Sequence, residues 1–259
     1  MTTNPPPRIA IAQVQMHWTI EDNLADIHRA MHLAARHGAG ICAFSELAVT
    51  GIHRQIVALA HPQLVAPALQ QVRAWCAELG LAVSIGAPTF GNAGERFITQ
   101  LLLDASGAEV AAIRKRGLTD PEATFFSRGS GRPVGLLQGL RCSAVICREV
   151  GDLEQVRADL PPGSVDVVFV PGALRQDPEK PPSDPPAYVD DMRAVAVATG
   201  ATVIQTNWPN ALNRPEESRD AGRSGVVSPQ GQLLLRLPKE AAGVGLVELG
   251  SPEFEWLPM

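Results

Sequence analysis

Cysteine is scarce in this chain: Cys42, Cys76, Cys142 and Cys147 are the only four in 259 residues, and no C-x-x-C pair occurs. That number and spacing exclude a disulfide framework, so reduced thiols are expected. Basic runs are missing as well. With 22 Lys and Arg against 27 Asp and Glu the net charge is −5, and no Lys/Arg cluster is present to grip a nucleic-acid backbone. Nowhere do 18 apolar residues follow one another, so no membrane-spanning helix is expected. The N-terminal MTTNPPPRIAIAQVQ lacks a basic region followed by a long apolar stretch, and the chain reads as a soluble cytoplasmic protein. The six histidines crowd the first quarter without a matching carboxylate and cysteine cluster, which gives a metal site little support. His28 and His32 share a helix face at i,i+4, which reads as two polar positions on an exposed helix rather than as a metal pair.

What is present is enough apolar residue, 45% of the chain, to bury a large core, and residues 1–259 read as one large α/β domain. Strand and helix patterns alternate along it, the signature of an α/β sandwich. RIAIAQV (Arg8 to Val14) is a strand. A helix follows from Ile20 to Gly38, with Thr19 and Asp22 in capping-box spacing and Leu24, Ile27, Met31 and Ala34 on one face. GICAFS is the second strand, Pro62 to Leu79 the second helix, and LAVSIGAP the third strand. Between Phe97 and Lys115 two apolar runs flank Asp104 to Gly107, a turn that predicts a hairpin and therefore a mixed sheet. Later strands are predicted from Pro133 to Leu137, Arg141 to Cys147, Asp166 to Gly172 and Ala201 to Asn207. A helix spans Tyr188 to Thr199, and Ser224 to Leu237 is a second hairpin. The Pro-rich Asp177 to Pro186 cannot be regular structure and is expected to be a surface loop or lid beside the site.

Three reactive side chains stand at the ends of strand-like runs: Glu46 closes GICAFSEL, Lys115 closes AEVAAIRK and Cys147 closes CSAVIC. Such positions let a sheet deliver a base, a cation and a thiol to one rim. A thiol near pKa 8.5 is mostly protonated at neutral pH, so a nucleophilic cysteine needs a base or cation beside it. Glu46 fits the base and Lys115 the cation. An ammonium there favours thiolate and stabilises the oxyanion of a tetrahedral intermediate, a contribution of roughly 3 kcal/mol for one donor. Taken singly, Cys147 also fits a buried structural cysteine and Lys115 a solvated charge.

The order of FSELAVTG, RKRGLTDPEATFFSRG and AVIC resembles the nitrilase superfamily, the carbon-nitrogen hydrolases. RIAIAQVQ, MRAVAVATGATVIQTNW and SGVVSPQGQLL extend the similarity collinearly from residue 8 to about 249. The resemblance implies a four-layer αββα sandwich with mixed sheets, commonly paired as a homodimer or higher homo-oligomer through its helical layers. It implies Glu46 as general base, Cys147 as nucleophile, Lys115 as oxyanion-stabilising cation, and Glu122 as the second glutamate that positions the lysine and substrate. The backbone N–H of Arg148 is the implied second oxyanion donor. The implied activity is hydrolysis of a non-peptide C–N bond through a cysteine thioester, without metal or organic cofactor. An acyltransferase using the same thioester and a catalytically silent binding protein are the alternatives.

Departures from the family pattern cluster around the pocket. Gly117 stands where histidine is frequent, so a contact made by that histidine is expected to be missing, and CREVGDLEQV lacks the aromatic residue and Pro-Glu that often follow the nucleophile. With aromatics at only 5% of the chain, a small polar amide or carbamoyl compound is favoured over a bulky aromatic nitrile. Arg148 and Arg175 are candidate binders of a substrate carboxylate, because a guanidinium matches a carboxylate bidentately; facing solvent or pairing with a nearby acid is the alternative. Asn207 in QTNW matches a family asparagine and equally fits a strand-end cap.

Overall fold

A computed structural model describes residues 7–174 and 184–259. Arg175 and most of the Pro-rich segment expected as a lid lie outside the described residues.

Among these residues the first sheet holds β1 (Arg8–Gln13), β2 (Ala39–Ala43), β3 (Ala82–Phe90), β4 (Arg96–Leu103), β5 (Glu109–Arg114), β12 (Gly243–Val247) and β13 (Phe254–Pro258). Their spatial order is β13-β12-β1-β2-β3-β4-β5. The second sheet holds β6 (Gly135–Leu137), β7 (Leu140–Ala144), β8 (Val167–Gly172), β9 (Thr202–Asn207), β10 (Gly225–Val227) and β11 (Leu233–Arg236), in the order β11-β10-β9-β8-β7-β6. Each sheet has three parallel strands at its centre, β1-β2-β3 and β7-β8-β9, with antiparallel partners outside. The expected mixture of parallel and antiparallel pairing is present in both.

Parallel neighbours need crossover connections, and the chain supplies helices for them. The helices α1 (Ile20–Arg36) and α3 (Pro62–Leu79) link the first three strands, with a single turn α2 (Ile56–Leu59) ahead of α3. A second single turn, α4 (Asp120–Ala123), follows β5; α5 (Leu153–Asp159) and α6 (Tyr188–Thr199) link β7, β8 and β9. Thr19 caps α1 by accepting the Asp22 N–H at 3.1 Å. Leu24, Ile27, Ala30, Met31 and Ala34 are buried along that helix, the inward stripe that the helical period requires.

Strand residues alternate between two cores, as the pleat dictates. In β1, Ile9 and Ile11 face the space between the sheets, whereas Ala10 and Ala12 face α1 and α3. In β8, Val167 and Phe169 face the intersheet core and Val168 and Val170 face α5 and α6. Helix, sheet, sheet and helix thus form four layers, and strands buried on both faces read as the continuous apolar runs seen in the sequence. Cys42, Cys76 and Cys142 are buried in these cores. The Arg141 to Cys147 run is shorter as a strand than expected: pairing ends at Ala144, and a 3₁₀ turn occupies Cys147–Gly151.

Candidate active site

Glu46 lies in the turn after β2, and contacts from both sheets hold that turn. The Phe44 carbonyl accepts from Gln100 Nε2 at 3.2 Å and from Thr206 Oγ1 at 3.0 Å. Trp208 Nε1 donates to the Glu46 carbonyl at 3.2 Å. Gly86 on β3 makes room for the turn, since a Cβ there would stand 2.2 Å from the Leu47 nitrogen. Leu47 itself is left-handed, with φ 52°, a cost of order 1 kcal/mol for a residue other than glycine.

Lys115 continues directly from β5, its N–H donating to the Ile98 carbonyl at 2.8 Å. Its side chain is fully buried, and Nζ donates to Glu46 Oε1 and to Glu122 Oε1, each at 2.7 Å. Glu122 has two duties. Its Oε2 accepts the Thr119 N–H at 2.8 Å, closing the capping box of α4, while Oε1 is given to the lysine. A one-turn helix thereby orients a carboxylate toward the cation.

Cys147 follows β7 and opens the 3₁₀ turn in a left-handed conformation, φ 53°. That kink lifts the residue out of the strand direction. The thiol lies where the charges of Glu46 and Lys115 and the Ala173 backbone N–H act on it. Burial pushes the thiol up to about 12, Glu46 adds to the rise, and Lys115 and the Ala173 N–H oppose it. Burial likewise holds the Glu46 carboxyl above the usual carboxylate range, against Lys115 and with help from Glu122. Burial works against the Lys115 charge too, but the neighbouring Glu46, Cys147 and Glu122 outweigh it and keep the ammonium above its ordinary value. Burial thus favours the protonated thiol, the surrounding carboxylates favour the ammonium of Lys115, and Glu46 is a stronger base than an ordinary carboxylate. Glu46 Oε2 has no hydrogen-bond donor among the described residues, which leaves it free to accept a proton.

The four expected residues Glu46, Lys115, Glu122 and Cys147 are thus brought together. Arg148 is not directed at the thiol. Its guanidinium donates to Asp152 at 2.8 Å and lines a cleft of about 840 Å³ with Arg116, Arg128 and Arg132, a lining that includes neither Cys147 nor Lys115. The pairing alternative fits Arg148 better than carboxylate binding. The Arg148–Asp152 pair also fills the room beside Gly117, where a Cβ would come within 2.6 Å of Asp152 and 2.9 Å of Arg148. The space that a histidine would need is occupied. Asn207 bonds the Leu174 N–H and carbonyl at 2.9 and 2.7 Å, fixing the chain that leaves β8 beside Cys147. Ala173 and Glu149 are part of this site although nothing in their immediate sequence marks them; the T-x-x-E spacing of Thr119 and Glu122 is the one signal of the capping box.

The family model for carbon-nitrogen hydrolases matches residues 8–255. This chain belongs to that family. An amidase from Nesterenkonia sp. superposes on this carbon-nitrogen hydrolase with a TM-score of 0.77 at 28% identity, covering 97% of this chain and 90% of that one. A cysteine-to-serine mutant of the Nesterenkonia AN1 amidase, described as of the nitrilase superfamily, gives 0.80 at 28% identity, with 96% and 93% covered. A cysteine-to-alanine mutant in complex with butyramide gives 0.78 at 29%, with 94% and 90% covered. No curated protein sequence matches the chain. The αββα sandwich is shared with these structures, and the protein is a cysteine-dependent, amidase-like carbon-nitrogen hydrolase of the nitrilase superfamily. Among the described residues no helix is long and apolar enough to cross a membrane.

Proposed function

We propose that the enzyme hydrolyses small aliphatic amides through a thioester on Cys147. The observation that carries this reading is the buried Lys115, which bridges Glu46 and Glu122 at 2.7 Å each while Cys147 interacts with the same ammonium and with Glu46. A thiol held up to about 12 does not ionise on its own near neutrality, so attack and proton transfer go together. Glu46 Oε2 takes the thiol proton as Sγ bonds to the carbonyl carbon. Charge then develops on the carbonyl oxygen, where Lys115 Nζ and the Arg148 N–H are the proposed donors. The C–N bond breaks, ammonia departs with the proton held by Glu46, and a thioester remains. Water attacks that thioester, gives its proton to Glu46, and the carboxylic acid leaves as the thiol is reprotonated.

Support for the substrate class comes from the relatives: the Nesterenkonia amidase has been captured with butyramide, and another of its mutants with the acetamide moiety of fluoroacetamide added at the active-site cysteine. Arg148, one of the two arginines expected to hold a substrate carboxylate, is paired with Asp152 instead. Intact mass after brief exposure to a panel of short amides, with ammonia measured in parallel, tests the reading. An acyl adduct that disappears in Cys147→Ala is expected; ammonia release without Cys147 would sink it. Adding amine acceptors to the same assay separates hydrolysis from acyl transfer. We also propose a homodimer or higher homo-oligomer through the helical layers, supported by the exposed Val197 on α6 and Leu64 on α3; a monomer by sedimentation would refute it.

A further inference from the structure

Cys147 and Lys115 come from different sheets, and each is followed or preceded by backbone that a single side chain holds. Glu149 is 1% exposed. Its Oε2 accepts the N–H of Ile146, the residue before Cys147, at 2.8 Å. Its Oε1 accepts the N–H groups of Arg116 and Gly117, the two residues after Lys115, at 2.6 and 3.0 Å. The remaining charge is met by Arg132, whose side chain is 1% exposed and lies 3.2 Å from Oε2. Arg132 is held in turn by Asp159, which also takes Arg116 Nη1 at 2.6 Å.

From this arrangement we propose that Glu149 is a positioning residue for the reaction: its carboxylate clamps the nucleophile's turn to the segment carrying the lysine. The inference rests on the reading of Cys147 as nucleophile and Lys115 as cation. Two observations give the clamp work to do. Cys147 sits in a left-handed conformation that a non-glycine residue does not choose unaided. During attack Glu46 becomes neutral, so the Glu46–Lys115 ion pair that also fixes the lysine weakens when its position matters most. Glu149 is bonded to the backbone N–H groups of Ile146, Arg116 and Gly117 rather than to the thiol or the ammonium, so its bonds do not depend on the proton transfer. A buried carboxylate with four donors around it is also a rigid object, because none of its bonds can be exchanged for water.

Glu149→Gln separates this role from simple packing. Glutamine has the same shape but only one accepting atom, so either the Ile146 N–H or the Arg116 and Gly117 N–H groups must face an NH₂ donor. The full chain is assayed for kcat and KM on butyramide, for the rate of Cys147 alkylation by iodoacetamide across pH, and for thermal unfolding. A folded Glu149→Gln protein is expected to keep KM within about threefold, lose roughly 100-fold in kcat and alkylate Cys147 more slowly by a similar factor. Glu149→Asp retains the charge but not the reach, and should fall between the two. Wild-type kcat and alkylation in folded Glu149→Gln overturn the proposal. Should that variant not fold, Glu149→Asp decides on the same readouts, and failure of both to fold assigns Glu149 to the scaffold and overturns it as well. Cys147→Ala runs alongside: activity in that variant overturns the nucleophile assignment, whereas its inactivity with an unimpaired Glu149→Gln overturns only the clamp.

Discussion

Two charge networks flank the turn at Cys147, built from similar residues and subject to different physics. Glu46, Lys115 and Glu122 are closed away from solvent, with side-chain exposures of 1%, 0% and 20%. Arg148 and Asp152, on the cleft side, are 40% and 35% exposed. Adjacent residues part company here: Cys147 belongs to the dry network and Arg148 to the wet one. Desolvation is what separates them. In the dry network it raises the affinity of Glu46 and Cys147 for protons, whereas water supplies the wet network with an alternative partner for every charge. Charge and residue type alone therefore do not locate the chemistry; the side of the turn does.

The largest effect that this contrast predicts is at the thiol. Cys147→Ala should lower ammonia release from a short amide by about 10⁴-fold or more, with little change in thermal stability because the substitution removes only one thiol and keeps Cβ. Lys115→Met comes next and should damage two things together. Loss of the cation removes an oxyanion donor, a drop of about 10²- to 10³-fold in kcat, and strands two carboxylates in the interior, a destabilisation of about 3–5 kcal/mol by urea unfolding. A Lys115→Met protein of wild-type stability would mean that the network is wetter than its burial indicates.

Proton affinity gives a smaller, signed test. Burial holds the Glu46 carboxyl above the usual carboxylate range, and only its ionised form can accept the thiol proton. Activity should therefore fall as pH drops through a value above about 4.3, the ordinary glutamate pKa. Glu122 contributes to that elevation by its negative charge. Glu122→Gln should lower kcat by about 10-fold and shift the acid limb of kcat/KM to lower pH, because the neutral amide no longer disfavours ionisation of Glu46. An acid limb that stays put or moves up would break the assigned coupling.

Much of this is legible in the sequence. The αβ alternation, the hairpin around Asp104 to Gly107 and the helix capped by Thr19 follow from patterns within a few residues, and local signals survive folding. Glu46 and Lys115 were visible because both end strong apolar runs. What escaped the sequence depends on contacts between distant segments. Glu149 reads as one more polar residue after the nucleophile, and only the meeting of residues 116–117 with 146 gives it a role. Helix α5 has a single buried residue, Val156, in seven, too few for a helical period to register. Strands β12 and β13 are likewise missing from the sequence reading: β12 carries two glycines in five residues, and β13 is a sheet edge with no buried residue.

The smallest predicted effect is the most useful for the contrast, because it concerns the immediate neighbour of the nucleophile. Arg148→Ala removes a guanidinium one residue from Cys147, and if proximity in sequence decided function it would be among the most damaging changes. Its side chain, however, spends its charge on Asp152 in a half-exposed i,i+4 pair, an arrangement that contributes about 0.3–0.5 kcal/mol. Its proposed part in the reaction is played by the backbone N–H, which alanine keeps. Arg148→Ala should accordingly change kcat/KM for butyramide by less than about threefold and stability by less than about 0.5 kcal/mol, and raising the salt concentration should erase what difference there is. The same substitution opens the space beside Gly117, so Gly117→Ala should be better tolerated in the Arg148→Ala background than alone, the Asp152 carboxylate being free to swing away. A loss of 100-fold or more in Arg148→Ala would place its guanidinium in the reaction and move the boundary between the two networks to the other side of that residue.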